Sequence, residues 1–382
     1  MLKRLTPVVG AMLLTLATYA AAQELATDHP DTYTVQQGDT LWDISAKFLA
    51  KPWLWPEIWQ ANPQVKNPHR IYPGDVLSLH YVNGQPRVDL VTDGGPQVRM
   101  GEPVDTVPLS QIEPWLKHLT IVRDPKSFPY VIAIEEDHLM AGTGQLVYVR
   151  NMPDAKPGDL VQIARPTVLY AMNPPRDGYR TGGHSTLNHR ADMHHEAWTF
   201  GTWSNGDEPE GAWGQKLGYE MQLQSIGEVT RVQGEITSIL LRDEQRDVMV
   251  GDRVLPVEAQ PYCNCYNPHP AAAIPEGAQV LAVPDGLRFS GMRSVVALSL
   301  GLADGIDNGT VFSIWRGGST VEDDIRNRNE IAAYADRVQL PDEYVGHVMV
   351  FRTFDHVSYG LVMDTIEQVR NGYLLKHPDA VN

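Results

Sequence analysis

Tyr33-Thr-Val-Gln-Gln-Gly38-Asp39-Thr40-Leu41-Trp42-Asp-Ile44-Ser-Ala46, then Trp53-Leu-Trp55-Pro56-Glu-Ile58-Trp59-Gln-Ala61-Asn62-Pro63, then Asn67-Pro68-His-Arg-Ile71-Tyr72-Pro73-Gly74-Asp75-Val76-Leu77 is the stretch that decides the first fold in this chain. Tyr33-Thr-Val35 alternates as a strand, and Gly38-Asp39 supplies the turn that ends it. Thr40 caps a helix in which Leu41, Ile44 and Phe48 share one face. Trp55-Pro56 places proline at the start of a second helix, with Ile58 and Trp59 toward the core and Asn62-Pro63 as its stop. Ile71-Tyr72-Pro73-Gly74-Asp75 is a turn feeding a last strand that runs from Val76 to Leu79. The predicted order is strand, helix, helix, strand.

At this level of detail the stretch resembles the LysM family, small modules that grip the glycan of peptidoglycan. In that family the groove lies between the loop after the first strand and the loop before the last. The resemblance therefore implies glycan contacts from Gly38, Asp39, Thr40 and Leu41 on one side, and from Asn62, Pro63, Asn67, Ile71 and Tyr72 on the other. The chemistry is coherent. An uncharged N-acetylated sugar needs backbone donors and acceptors for its amide and an apolar wall for its methyl and ring faces. Two loops that close together offer both, because their peptide groups are not consumed by secondary structure. Gly38, Trp42, Ile44, Trp59 and Gly74 read as builders of the fold, and the tryptophan-rich centre of Trp53, Trp55 and Trp59 marks a subtype. The implied ligand is the N-acetylglucosamine of peptidoglycan glycan strands.

The chain opens Met1-Leu-Lys3-Arg4, continues with an apolar run from Pro7 to Ala22, and reaches Gln23 after three alanines. That pattern reads as a signal peptide over 1–22, too short and wrongly flanked for a retained anchor. It implies an exported, periplasmic protein without membrane insertion. The 382 residues carry 31 basic and 47 acidic side chains, a net charge of −16. Losing Lys3 and Arg4 with the leader makes it about −18. Such a surface is repelled by nucleic acid and by anionic lipid headgroups, so neither is expected as a partner.

Beyond the first module the pattern changes. A turn-rich segment with Asn83-Gly84 and Asp93-Gly94-Gly95 reads as a linker over 81–106. From about Val107 onward, short apolar runs alternate with turn dipeptides: Val131–Ile134, Leu146–Val149, Leu160–Ile163, Val229–Val232, Ile236–Ile239 and Val311–Ile314 all read as strands. One helix is expected near Leu109–Lys117, with Ser110 as a candidate cap. A weak echo links Lys156–Arg165 with Asp307–Arg316, each a turn with glycine followed by an alternating strand and an arginine. A second echo links Val250–Pro256 with Arg370–Lys376. The chain is thus expected to be α+β: a βααβ module at 32–80, then two related, barrel-like β-rich units at 107–260 and 275–380. The aperiodic stretch 173–215 reads as a long surface insertion in the first unit.

No catalytic constellation emerges. There is neither an H-E-x-x-H motif nor a Gly-x-Ser-x-Gly elbow, and Cys263 and Cys265 lack the strand-to-helix setting of a nucleophile. A disulfide between those two cysteines would close too small a loop to stabilise much. His184, His189, His194 and His195 with Asp192 and Glu196 offer metal-ligating atoms, but their spacing fits no recognisable site and they read as a solvated loop. No cofactor, no metal and no enzymatic activity are expected.

The β region carries a second resemblance. Asp154–Val161, Gly251–Pro256, Gly301–Gly305 with Asn308–Val311, and above all Met349-Val-Phe351-Arg352-Thr-Phe354-Asp-His-Val-Ser358-Tyr359-Gly-Leu-Val-Met363 are similar to the secretin-associated LysM proteins of type IV pili, the TsaP family. There a LysM module precedes a region similar to a flagellar basal-body ring protein. The resemblance implies a non-catalytic protein that ties the outer-membrane secretin ring to peptidoglycan. It assigns nothing to the histidine-rich insertion or to the cysteine pair. Phe351–Tyr359 is the candidate secretin-facing segment, but an ordinary strand pair with buried aromatics is the favoured use of those residues. A general envelope protein with no secretin partner, or a cell-wall hydrolase, are the alternative functions.

Overall fold

The computed structural model describes residues 25–56, 71–82, 85–91, 104–105, 107, 109–172, 215–244, 246–257, 266–282, 289–322 and 337–381. The expected leader, Asn62, Pro63, Asn67, the rest of the second module helix, nearly all of the 173–215 insertion and both cysteines lie outside those residues.

The module is built from β1 (Thr32–Thr34), α1 (Leu41–Phe48), β2 (Val76–Val82) and β3 (Gln85–Leu90), the strands forming an antiparallel sheet in the order β1-β2-β3. Thr40 caps α1 as expected. The Asp43 N–H donates to Thr40 Oγ1 at 3.1 Å, and the Thr40 N–H donates back to Asp43 Oδ2 at 3.2 Å, so two orphan donors are satisfied reciprocally. Leu41, Ile44 and Phe48 bury one helix face against Val35, Trp55, Ile71 and Leu77. The linker reading of 81–106 needs correction. Gln85–Leu90 pairs along β2 across the Asn83-Gly84 dipeptide and sends Val88 into the module core, and Val104 is buried there too.

Two β barrels follow. The first contains β4 (Leu119–Val122), β5 (Tyr130–Ile134), β6 (Leu146–Arg150), β7 (Leu160–Met172), β8 (Gln215–Gln233), β9 (Ile236–Glu244) and β10 (Arg253–Pro256). Its order is β5-β6-β9-β8-β7-β10, with β10 returning to β5 and β4 added on the outer part of β8. The second contains β11 (His269–Pro270), β12 (Val280–Ala282), β13 (Phe289–Ser290), β14 (Val295–Leu298), β15 (Thr310–Arg316), β16 (Thr320–Glu322), β17 (Arg337–Gln339), β18 (Glu343–Thr353), β19 (Ser358–Thr365), β20 (Val369–Arg370) and β21 (Leu374–Lys376). Its order is β12-β14-β19-β18-β15-β21, and the Gln279–Leu374 bridge closes β21 onto β12. Matched strand for strand, the two circuits are the same.

The sequence echoes mark equivalent turns of these circuits. Gly158 N–H donates to Val229 O on β8, and Gly309 N–H donates to Val350 O on β18. Likewise Gly251 N–H reaches Val131 O on β5, and Gly372 N–H reaches Val280 O just inside β12. All four glycines have φ between 83° and 102°, a region that L side chains avoid. Aspartate follows glycine in two of them, and its carboxylate accepts the N–H three residues upstream: Lys156 N–H to Asp159 at 2.8 Å, Met249 N–H to Asp252 at 2.7 Å. A methyl added at Gly158 would meet open space, so Gly158→Ala is expected to cost about 1–2 kcal/mol through backbone strain alone. At Gly309 the same methyl would lie 2.4 Å from the Asn267 carbonyl oxygen. Gly309→Ala should therefore show the lower urea midpoint of the two.

The units are joined by buried contacts. Beyond its barrel, the β7–β8 ribbon continues outward and lays Tyr170, Ala171 and Leu217 against the outer face of the second barrel, where Met349, Phe351, Tyr359, Leu361 and Met363 are buried. Alternate residues of the same strands, Val348, Val350 and Val362, fill that barrel's interior. Both faces of β18 and β19 are covered, which accounts for their continuous apolar runs. The expected helix forms as α2 (Leu109–His118), with Ser110 inside its first turn and not at its cap. It packs Ile112 and Leu116 into the joint, and the Arg352 guanidinium donates to the Trp115 and Leu116 carbonyls at 2.8 Å each. Tyr359 lies edge-on to Trp115 and Phe354 and stacks with Phe351. Phe351, Val357, Ser358 and Tyr359 are buried in this seam, as the favoured strand-pair reading of the segment expects, while Asp355 between them is exposed.

The module docks on the same barrel. Trp42 and Trp53 point away from the module core into the joint, and Trp53 packs 4.4 Å from the His347 ring on β18. Arg293 reaches Asp43 at 2.9 Å and Lys51 reaches Asp379 at 2.7 Å around this contact.

Candidate functional site

The turn before β2 is brought against the end of β1 at the base of the sheet. Val35 N–H donates to Asp75 O at 2.9 Å and Gly74 N–H donates to Val35 O at 2.8 Å, so the loop before β2 is pinned to the end of β1. Asp75 also accepts the Tyr72 N–H at 3.0 Å, which fixes the turn carrying Ile71 and Tyr72. On the facing loop, Gly38 takes φ +93°. Asp39 is held by the Tyr33 hydroxyl and the Gln36 N–H, both at 2.8 Å. Burial, with Asp39 beside it, pushes the Tyr33 hydroxyl up to about 12, so it remains a donor to Asp39 throughout the neutral range.

Of the expected contact residues, Leu41 and Ile71 both bond to the 104–105 segment. Leu41 is the first helical residue of α1, and its N–H is one of the donors a helix leaves unsatisfied. It donates to the carbonyl of Asp105 at 2.9 Å. On the other side, the Ile71 carbonyl accepts the Val104 N–H at 2.7 Å. The Leu41 N–H and the Ile71 carbonyl are thus both engaged by the 104–105 segment, beside the buried side chains of Leu41 and Ile71. Thr40 sits beside them, buried, but its hydroxyl donates to Asp43 Oδ2 at 2.8 Å and serves the helix cap. Gly38 and Asp39 act through the turn, and Tyr72 is half-buried next to it. Asn62, Pro63 and Asn67, which would complete the far wall, lie outside the described residues. The partners Val104 and Asp105 were not foreseen, because nothing in a stretch read as linker marks two residues as returning to the module.

Residues 33–79 match the LysM domain family. The match supports peptidoglycan binding and association with the cell wall; a LysM domain is a binding module and not a catalytic one. Among curated proteins, the chain is 38% identical over 60 residues to the uncharacterized protein YqbP of Bacillus subtilis (strain 168), covering 13% of this chain and 27% of that protein. It is 46% identical over 48 residues to the potassium binding protein Kbp of Escherichia coli O6:H1, covering 12% of this chain and 32% of that protein. The chain thus spans less than a third of the length of these relatives, and the likeness is of the size of the LysM domain alone. Among the described residues no helix is long and apolar enough to cross a membrane, and no three His, Cys, Asp or Glu side chains gather as a metal site.

Proposed function

We propose that this chain is a non-catalytic periplasmic anchor whose LysM domain holds the glycan of peptidoglycan while its barrels engage the outer-membrane secretin ring of a type IV pilus machine. The observation that carries this reading is the buried joint. A tether must pass load from its grip to its cargo, and here Trp42 and Trp53 seat the LysM domain on the second barrel, which α2 and the β7–β8 ribbon lock to the first. The likeness of Met349–Met363 to the TsaP family supports the choice of cargo, and the leader-like N-terminus supports the compartment. Weak single contacts repeated around a ring would give avidity without a tight individual groove.

Two measurements test the proposal. The purified chain is expected to pellet with insoluble peptidoglycan and to be released by soluble N-acetylglucosamine oligomers; release of soluble muropeptides would make it a hydrolase instead. Crosslinking in cells is expected to capture the secretin. Absence of the chain from isolated secretin rings would remove that partner and leave a general peptidoglycan-binding envelope protein.

A further inference from the structure

We propose that the LysM groove is closed in cis: Val104–Asp105 stands where the acetamido group of an N-acetylglucosamine would sit, and glycan enters by displacing it. The inference rests on reading this groove as the glycan site. The strap supplies each element such a group would supply. The Val104 N–H donates to the Ile71 carbonyl at 2.7 Å, the Asp105 carbonyl accepts from the Leu41 N–H at 2.9 Å, and the Val104 side chain is 6% exposed within the module core. A sugar amide cannot use the same donor and acceptor while the strap holds them, since the Leu41 N–H is a single hydrogen and is already spent.

The strap also ties the groove to the rest of the molecule. Val107, two residues further on, is 1% exposed in the joint beneath α2. Asp43, which completes the cap beside the groove, is paired with Arg293 of the second barrel. Arg293 holds φ at +64° in the barrel turn equivalent to that of Gly144, an uncommon conformation for a non-glycine residue. Moving the strap pulls on Val107 in the joint, so the closed state is favoured when the joint is intact. A strap closed about ten to one weakens the apparent Kd for glycan about ten-fold relative to the open groove.

The test uses the full chain, soluble N-acetylglucosamine oligomers as probe, and two readouts. Calorimetry of Val104→Gly is expected to give a Kd about ten-fold tighter than that of the unsubstituted chain. Hydrogen exchange on the unsubstituted chain, which requires no variant to fold, is expected to find the Val104 amide protected without oligomer and exposed at saturation. Equal affinities, or a Val104 amide still protected at saturation, would overturn the strap while leaving glycan binding in place. Failure of both chains to bind oligomer would overturn the glycan reading of the groove, and the strap as its competitor with it.

Discussion

Replacing Glu220 with alanine is expected to destabilise the chain by about 3–5 kcal/mol and to separate the unfolding of the two barrels. Glu220 lies on the outer part of β8 and is only 7% exposed. Its carboxylate accepts the Tyr170 and Tyr359 hydroxyls at 2.7 Å each and the Thr167 hydroxyl at 3.0 Å. Tyr359 belongs to the second barrel, so one buried acid holds both units. Removing it leaves buried hydroxyls short of an acceptor, each costing about 1–3 kcal/mol, and a cavity besides. Glu220→Gln retains the shape with a single oxygen and should lose less. The tyrosines add a pH signature. Burial first, and then the neighbouring Glu220, holds both phenols well above the usual range. A raised folded value means their contribution is fully present below the unfolded pKa of about 10 and is lost as pH rises beyond it. Stability measured by urea unfolding should therefore fall above about pH 10, less steeply in Tyr359→Phe. A single, unchanged transition in Glu220→Ala would remove Glu220 from the joint.

The parts of this fold that were legible in the sequence are those governed by local chemistry. The Thr40 cap, the Leu41–Ile44–Phe48 face and the strand at Val76 follow from capping and periodicity, and the structure forms each of them. The six short apolar runs all lie in strands, because β-branched residues between turn signals have few other uses. The echo of Gly158 with Gly309, and of Gly251 with Gly372, was readable because a turn with positive φ dictates its residue. What was not legible depends on partners distant in sequence. Trp42 reads as one more apolar residue on α1, and only the position of the second barrel turns it into a joint residue. Glu220 sits in a strand between Tyr219 and Met221, and its burial follows from Tyr359, 139 residues later. The return of Val104 and Asp105 to the groove has no local signature at all. Neither does the choice of face on β18 and β19, where apolar residues occupy both sides.

The second large effect is expected at Trp53, whose replacement by alanine should undock the LysM domain from the second barrel. Two kinds of contact hold this junction, and their magnitudes differ. The Arg293–Asp43 and Lys51–Asp379 pairs are about a quarter to two-fifths exposed, and ion pairs in such settings contribute about 0–1 kcal/mol each. Trp53 is 4% exposed, between His347 at 4.4 Å and Trp42 at 6.5 Å. His347 is itself fixed, with its Nδ1 at 3.0 Å from Asp364 and 2.8 Å from the Tyr344 hydroxyl, so the ring is a prepared surface for the indole. Truncating a buried tryptophan costs about 3–5 kcal/mol, which exceeds both ion pairs together. Trp53→Ala should then raise the radius of gyration in small-angle scattering and give the LysM domain a melting transition of its own. Arg293→Ala and Lys51→Ala should do neither. The module core should survive, because Trp55 and not Trp53 packs with Leu41, Ile44 and Ile71. A variant that undocks yet still pellets with peptidoglycan would separate grip from load transfer. Were Lys51→Ala to undock the domain as far as Trp53→Ala, charge and not burial would hold this junction.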